Sequence, residues 1–405
     1  MNLSRLKRVN RATTKRRIDL LTNCAFAKSV IVTGEKLLSG LSVGKKIKSV
    51  ICKKDLTEMV VVDDQLFMLD TFNNVYKIKE NRMEFITKTS INKLDIVSTD
   101  LYMHKSYAIN CFGGVLFLGK VNKYINTPNF TGLTEYKGRL FAHDNFKLYY
   151  VDLSAVEDNK QKIYTINLSE EYGKVISTIQ ANGDLYVVCE NTILKIYNEG
   201  ELDFVIHPTK LSNLSIKPNS VQKINSGIVF ISGNEICAYN GANLNRENLE
   251  NVNLNDLKNT YIVNDKYIIA LNNFKHVVYD ISSKNNYYID LKKCLLTNSL
   301  TYLNLEDFSL CELGYNCSCQ REYKTKEITF DGGEEKVFKR LIIDTKSNVA
   351  VTVKGPFVDI KGIINRQINT LEIGKQSKYV QLEIISFDSH FEVNKIYIET
   401  QNLGG

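Results

Sequence analysis

The feature that most constrains this chain is a pair of short apolar strands that recurs between about residue 57 and residue 300. Leu66-Phe67 is followed by Val75-Tyr76, Leu140-Phe141 by Leu148-Tyr149-Tyr150, and Leu185-Tyr186 by the run from Leu194 to Tyr197. Further along, Ile228-Val229 precedes the run from Cys237 to Tyr239, and Tyr267-Ile268 precedes that from Val277 to Tyr279. A weaker copy runs from Tyr107 to Phe117. The starts, at about 66, 107, 140, 185, 228 and 267, step by 33 to 45 residues. Asp, Asn and Gly fill the intervening turns, where a positive φ is tolerated. A lone hairpin cannot bury both of its faces. Stacking four-stranded units around an axis solves that problem, and this period is expected of β-propeller blades. A β-sandwich meander with similar strand spacing is the alternative.

Six copies are visible, and a seventh blade forms if residues 21 to 55 join residues 295 to 320, so six or seven blades are expected. From Arg321 the period stops and the strands YKTKEITF, KVFKRLIIDT, NVAVTVKG, INTLEIG, YVQLEIIS and FEVNKIYIET follow in quick order. Val349, Val351 and Val353 alternate cleanly, as do the apolar residues Val393, Ile396 and Ile398 near the end. Such short strands between Gly, Asp, Asn and Ser turns predict an antiparallel β-sandwich. The stretch Arg321 to Asp344 reads as its first hairpin, turning at Asp331-Gly332-Gly333. The expected class is therefore all-β: a basic N-terminal arm at 1–20, a β-propeller at 21–320 and a C-terminal antiparallel β-sandwich at 321–405.

The net charge of +7 is concentrated at one end. Arg5, Lys7, Arg8, Arg11, Lys15, Arg16 and Arg17 lie in the first 17 residues with no acid among them. Without these seven, the remaining Lys and Arg number 45, equal to Asp plus Glu. Such an arm suits nucleic-acid phosphates or an acidic neighbouring subunit; a solvated, frayed terminus is the bland reading. The segment has no apolar core of a secretory signal, and no run of roughly 18 apolar residues exists to span a membrane. The nine cysteines are odd in number and mostly scattered, which suits free thiols in a reducing compartment and synthesis in a cytoplasm.

Little here carries chemistry. Cys311, Cys317 and Cys319 form the densest thiol cluster, but structural zinc sites pair C-x-x-C knuckles or add histidines. A fourth ligand would have to come from elsewhere, with Cys294 the candidate. The histidines at 104, 143, 207, 276 and 390 match no H-E-x-x-H or H-x-E pattern, and His143 and His276 sit inside blade hairpins as structural residues. The acidic pairs Asp63-Asp64, Glu170-Glu171 and Glu334-Glu335 sit at turns, and no phosphate-cradling glycine motif occurs. The chain is expected to be non-enzymatic, with no metal and no cofactor.

One resemblance goes further. The opening NCAFAKSVIVTGEKLLSGLSVGKKI (Asn23 to Ile47) precedes the strand pair EMVVVDDQLFMLD, then the repeat. The sets YKTKEITF, KVFKRLIID and NVAVTVKG come next, and finally TLEIGKQSKYVQLEIIS and FEVNKIYIE. This order resembles the propeller-plus-sandwich virion proteins of tailed bacteriophages, found in necks, tail nozzles and tail accessory rings. The resemblance implies a structural subunit, made in the host cytoplasm and carried in the virion. It implies a homo-oligomeric ring against other neck or tail proteins, with transient contact to genomic DNA during ejection. Two other readings stand beside it: a carbohydrate-binding propeller, with aromatics such as Tyr287-Tyr288 stacking on sugars, and a cellular propeller scaffold.

Overall fold

The computed structural model describes residues 15–21, 24–33, 35–50, 55–128, 130–198, 204–249, 252–272, 275–291, 293–315, 317, 319–329 and 335–401. Nearly all regular structure in it is strand, with one five-residue α-helix, Leu153–Glu157. The chain divides into two compact units. One comprises residues 46–284 and 291–312, the other 1–45, 285–290 and 313–405. The expected boundaries at 20 and 320 run along the chain, whereas these units interleave it.

The first unit is a series of antiparallel meanders of four strands. Leu56–Val62, Gln65–Asp70, Asn74–Lys79 and Arg82–Lys88 form the first sheet in sequence order. The second runs Ile96–Leu101, His104–Cys111, Gly114–Leu118 and Lys123–Asn126. The third runs Thr131–Tyr136, Arg139–Asp144, Lys147–Asp152 and Tyr164–Asn167, and the fourth Val175–Ala181, Asp184–Cys189, Ile193–Asn198 and Phe204–Pro208. Gln222–Ile224, Gly227–Ser232, Glu235–Tyr239 and Leu244–Asn248 make the fifth. Leu257–Val263, Lys266–Leu271 and His276–Asp280 lead the sixth. In the last, Cys294–Leu296, Thr301–Asn304 and Ser309–Gly314 are joined by Ser42–Ser49 from the start of the chain. This is the repeating unit of a β-propeller. All six apolar hairpins read from the sequence are the second and third strands of such sheets.

Those middle strands are the core. Every residue of Gly227–Ser232 and of His276–Asp280 is buried, so both faces of the sheet are covered. The covering comes from the neighbouring sheets. Phe67, Leu69 and Ile109 share one cluster between the first and second sheets, and Phe117, Leu140 and Tyr149 another between the second and third. Phe141, Val187 and Leu194 fill the next gap, and Tyr186, Phe230 and Tyr239 the one after. Met59 and Met68 of the first sheet pack with Leu295, Leu303 and Leu310 of the last.

The second unit contains the six-stranded sheet Val30–Val32, Leu37–Ser39, Glu392–Gln401, Lys336–Thr345 and Thr370–Ser377, with Lys15–Asp19 paired on Glu392–Gln401. A second strand order runs Asn285–Ile289, Cys24–Lys28, Arg321–Thr325, Tyr379–Ser386, Val349–Gly355 and Val358–Ile364. The expected hairpin from Arg321 to Asp344 is corrected here. Its turn, Asp331-Gly332-Gly333, lies outside the described residues, and among the described residues its flanks do not pair with each other. Ile328–Thr329 pairs with Tyr379–Ser386, while Lys336–Thr345 pairs with Thr370–Ser377 and Glu392–Gln401. Period-two alternation says which face of a strand is buried but leaves its partner open.

Arg321, at the start of this stretch, is fully buried. Its Nη2 donates to the carbonyls of Tyr315 (2.9 Å), Cys317 (2.9 Å) and Ser389 (3.4 Å), and its Nη1 to that of Asp388. One guanidinium thus ties two irregular segments to a strand end with charge-assisted hydrogen bonds. Two places over, the Tyr323 hydroxyl donates to the Leu20 carbonyl at 2.6 Å and holds the N-terminal segment. Arg321→Met should strand buried carbonyls at about 1–3 kcal/mol each, so urea unfolding should show several kcal/mol of lost stability. Arg321→Lys should recover only part of it, and an unchanged midpoint in both variants would refute the clamp.

Candidate functional site

The first strand of each meander is hydrogen-bonded on one side only, so its other edge needs partners. Side chains of neighbouring sheets and loops supply them, and Glu58 in turn holds the loop that carries Asp95. Glu58 Oε2 accepts from Leu94 N–H (2.5 Å), and Asp95 Oδ1 from Leu133 N–H (2.9 Å). Thr134 Oγ1 donates to the Thr178 carbonyl (2.8 Å), and Gln222 Nε2 to that of Thr260 (2.9 Å). Ile262 N–H donates to Asn298 Oδ1 at 3.1 Å. The polar positions 58, 95, 134, 178, 222, 260 and 298 step by 37 to 44 residues. That second period lies beside the apolar one and is the sequence signal that marks these residues.

Clefts open where the first strands converge. Glu58, Lys93, Ser177, Asn219, Gln222 and Tyr261 line one of about 160 Å³. Burial pushes the Glu58 carboxyl above the usual carboxylate range, against the Leu94 N–H and the Lys93 charge. Burial likewise raises Asp95, against the Lys93 charge and the Leu133 N–H. Burial takes the Tyr261 hydroxyl to about 12. Glu58 and Asp95 accept from backbone N–H groups, so they act as brackets between a strand and the loop 89–95.

An adjoining cleft of about 230 Å³ is lined by Lys93, Thr131, His143, Lys174, Glu190 and Asn219 among others. His143 is only 4% exposed. Burial first, then the Lys93 charge, push its pKa down to about 4. The ring lies against Gly132, whose φ is +65°; a Cβ there would stand 2.3 Å from His143 Nε2, so only glycine fits.

The expected functional residues are dispersed. Arg5, Lys7, Arg8 and Arg11 lie outside the described residues. Lys15, Arg16 and Arg17 fall in the strand Lys15–Asp19, in register with Gln401, Thr400 and Glu399. Cys311 is buried, and Cys317 and Cys319 are half-buried, all as free thiols. Burial pushes Cys294 up to about 12, so it stays a protonated thiol at neutral pH. Among the described residues, no three His, Cys, Asp or Glu side chains are gathered as a metal site requires. The aromatic pair named for sugar stacking is engaged in packing within the fold. Tyr287 is buried, with its hydroxyl accepting from Leu41 N–H at 2.8 Å, and Tyr288 stacks on Phe26 with ring centroids 5.4 Å apart. The paired aromatics of a strand point to opposite sides and are used up in packing.

No protein-family model and no curated protein sequence matches the chain. Among solved structures it is similar to virginiamycin B lyase from Staphylococcus aureus (TM-score 0.49, 10% identity, covering 75% of this chain and 99% of that one). It is similar also to BamB from Moraxella catarrhalis (0.44, 8%, 75% and 98%) and to the Pan2 WD40 domain of Neurospora crassa (0.43, 10%, 70% and 97%). No residue role passes from them to this chain.

His143 gives the site a pH signature. Its folded pKa lies below the unfolded value of about 6.5, so the unfolded chain binds more protons between about pH 6.5 and 4. Stability is full above that window and falls as pH drops through it, by about 3 kcal/mol at most. Urea denaturation at pH 7 and pH 5 should show this loss in the wild type. In His143→Gln the difference should shrink by most of that amount, and an equal pH dependence would show that His143 is not the buried neutral group.

Proposed function

We propose that the meanders close as a seven-bladed β-propeller, and that the C-terminal strands pack as an antiparallel β-sandwich. We further propose that the chain is a non-enzymatic structural subunit of a tailed-phage neck or tail ring. The observation that carries the closure is the last sheet. The strand Ser42–Ser49 completes Cys294–Leu296, Thr301–Asn304 and Ser309–Gly314, and Leu295, Leu303 and Leu310 pack on Met59 and Met68 of the first sheet. Strands from the two ends of the repeat thus share one sheet, which suits a rigid wall. The non-catalytic reading is supported by the engagement of Glu58 and Asp95 with backbone N–H groups. The virion placement rests on the sequence order of repeat and C-terminal strands, with a basic arm before a formally neutral body. A neutral wall does not trap passing phosphates, and the arm serves a neighbouring subunit or the DNA.

The test is solution mass by light scattering, for the full chain and for one lacking residues 1–14, a cut that spares the strand Lys15–Asp19. The full chain should form a multimer, and the truncated chain should fall towards the 46.2 kDa monomer. A full-length chain that stays monomeric at every concentration overturns self-assembly as its role.

A further inference from the structure

The cleft beside His143 has a donor and acceptor pattern that selects a ligand. Lys93 and Lys174 both line it, and neither ammonium forms an ion pair or hydrogen bond with another described residue. The one carboxylate among the lining residues, Glu190, is engaged: its Oε2 accepts from the Lys174 backbone N–H at 3.0 Å. The cleft therefore presents two ammonium charges against a single lining carboxylate, a net positive surface.

His143 adds the second element. Its Nε2 is buried with no hydrogen-bond partner among the described residues, although the ring lines the cleft. The hydrogen bonds assign its tautomer. Thr131 Oγ1 lies 2.9 Å from the His143 carbonyl oxygen and 3.1 Å from ring Nδ1. A hydroxyl has one proton, and the carbonyl, which cannot donate, takes it. Nδ1 must then carry the ring proton and donate to Thr131 Oγ1, leaving Nε2 as a bare acceptor. Leaving a buried acceptor unpaired costs about 1–3 kcal/mol, which a ligand that donates to it recovers.

We propose that this cleft binds a small oxyanion that also carries a hydroxyl proton: hydrogenphosphate or a small phosphomonoester monoanion. The charged oxygens face Lys93 and Lys174, and the P–OH donates to His143 Nε2. At about 230 Å³ the cleft is below the size of drug-like pockets and suits a ligand of this class. No lining residue is Phe, Tyr or Trp, the usual stacking surfaces for a sugar.

The experiment is isothermal titration calorimetry of the full chain with inorganic phosphate and with sulfate, at neutral pH and constant ionic strength. Sulfate has similar size and charge but no proton to donate. Phosphate should bind, and sulfate should bind at least about fivefold more weakly, the worth of one hydrogen bond. Lys93→Met/Lys174→Met, both exposed and therefore safe for folding, should weaken phosphate at least about tenfold. His143→Phe should abolish the preference for phosphate over sulfate; if it fails to fold, Thr131→Val, which unlocks the tautomer, should reduce it. Phosphate heats absent up to roughly 10 mM, unchanged in the lysine double variant, or equal to those of sulfate would each overturn the proposal.

Discussion

A strand at the edge of a sheet carries a row of backbone groups that water or another chain must satisfy, and each meander begins with such a strand. In this protein the edges are answered by neighbouring side chains: Asp95 to Leu133, Thr134 to Thr178, Gln222 to Thr260, and Asn298 to Ile262, while Glu58 holds Leu94 in the loop that carries Asp95. Each link is local and worth about 1 kcal/mol net, but leaving any of the buried groups unmade would cost more. The links also set the spacing between neighbouring sheets, because a side chain of fixed length has to reach a backbone atom.

The apolar core depends on that spacing. Strands such as Asp184–Cys189 are apolar on both faces, so each needs a sheet on either side at packing distance. The clusters alternate with the sheets, with Phe141 and Val187 filling one gap and Tyr186 and Phe230 the next. In the other compact unit a different device does the same work. Arg321 and Tyr323 reach from one strand into irregular segments and satisfy their carbonyls, where no regular partner strand is available.

The same geometry produces the clefts. His143 comes from the strand Arg139–Asp144, and Lys93, Lys174 and Asn219 from three loops that each lead into a first strand; they lie up to 126 residues apart, yet line one small space. A neutral buried imidazole beside two unpaired ammoniums is tolerable because Lys93 stays exposed to water while His143 is held in place by Thr131 and Gly132. Electrostatic cost is thereby kept off the core, and polarity is concentrated where the first strands converge.

The all-β class, the hairpins at the centre of the sheets and the change of texture near residue 321 were legible in the amino-acid order. Alternation and the roughly 40-residue period are local properties, and local hydrogen bonding is enough to realise them. The second period, of polar residues at 58, 95, 134, 178, 222, 260 and 298, was equally present but meaningless until the edges it serves were known. Partner choice was not legible. Nothing in KVFKRLIIDT favours Thr370–Ser377 and Glu392–Gln401 over the preceding strand, because a half-buried strand presents the same alternation to any partner. The burial of Arg321, the packing of Tyr287 and Tyr288, and the meeting of Lys93 with Lys174 and His143 were decided by tertiary structure alone. Each depends on contacts between residues far apart in the chain, and sequence periodicity carries no record of distance in space.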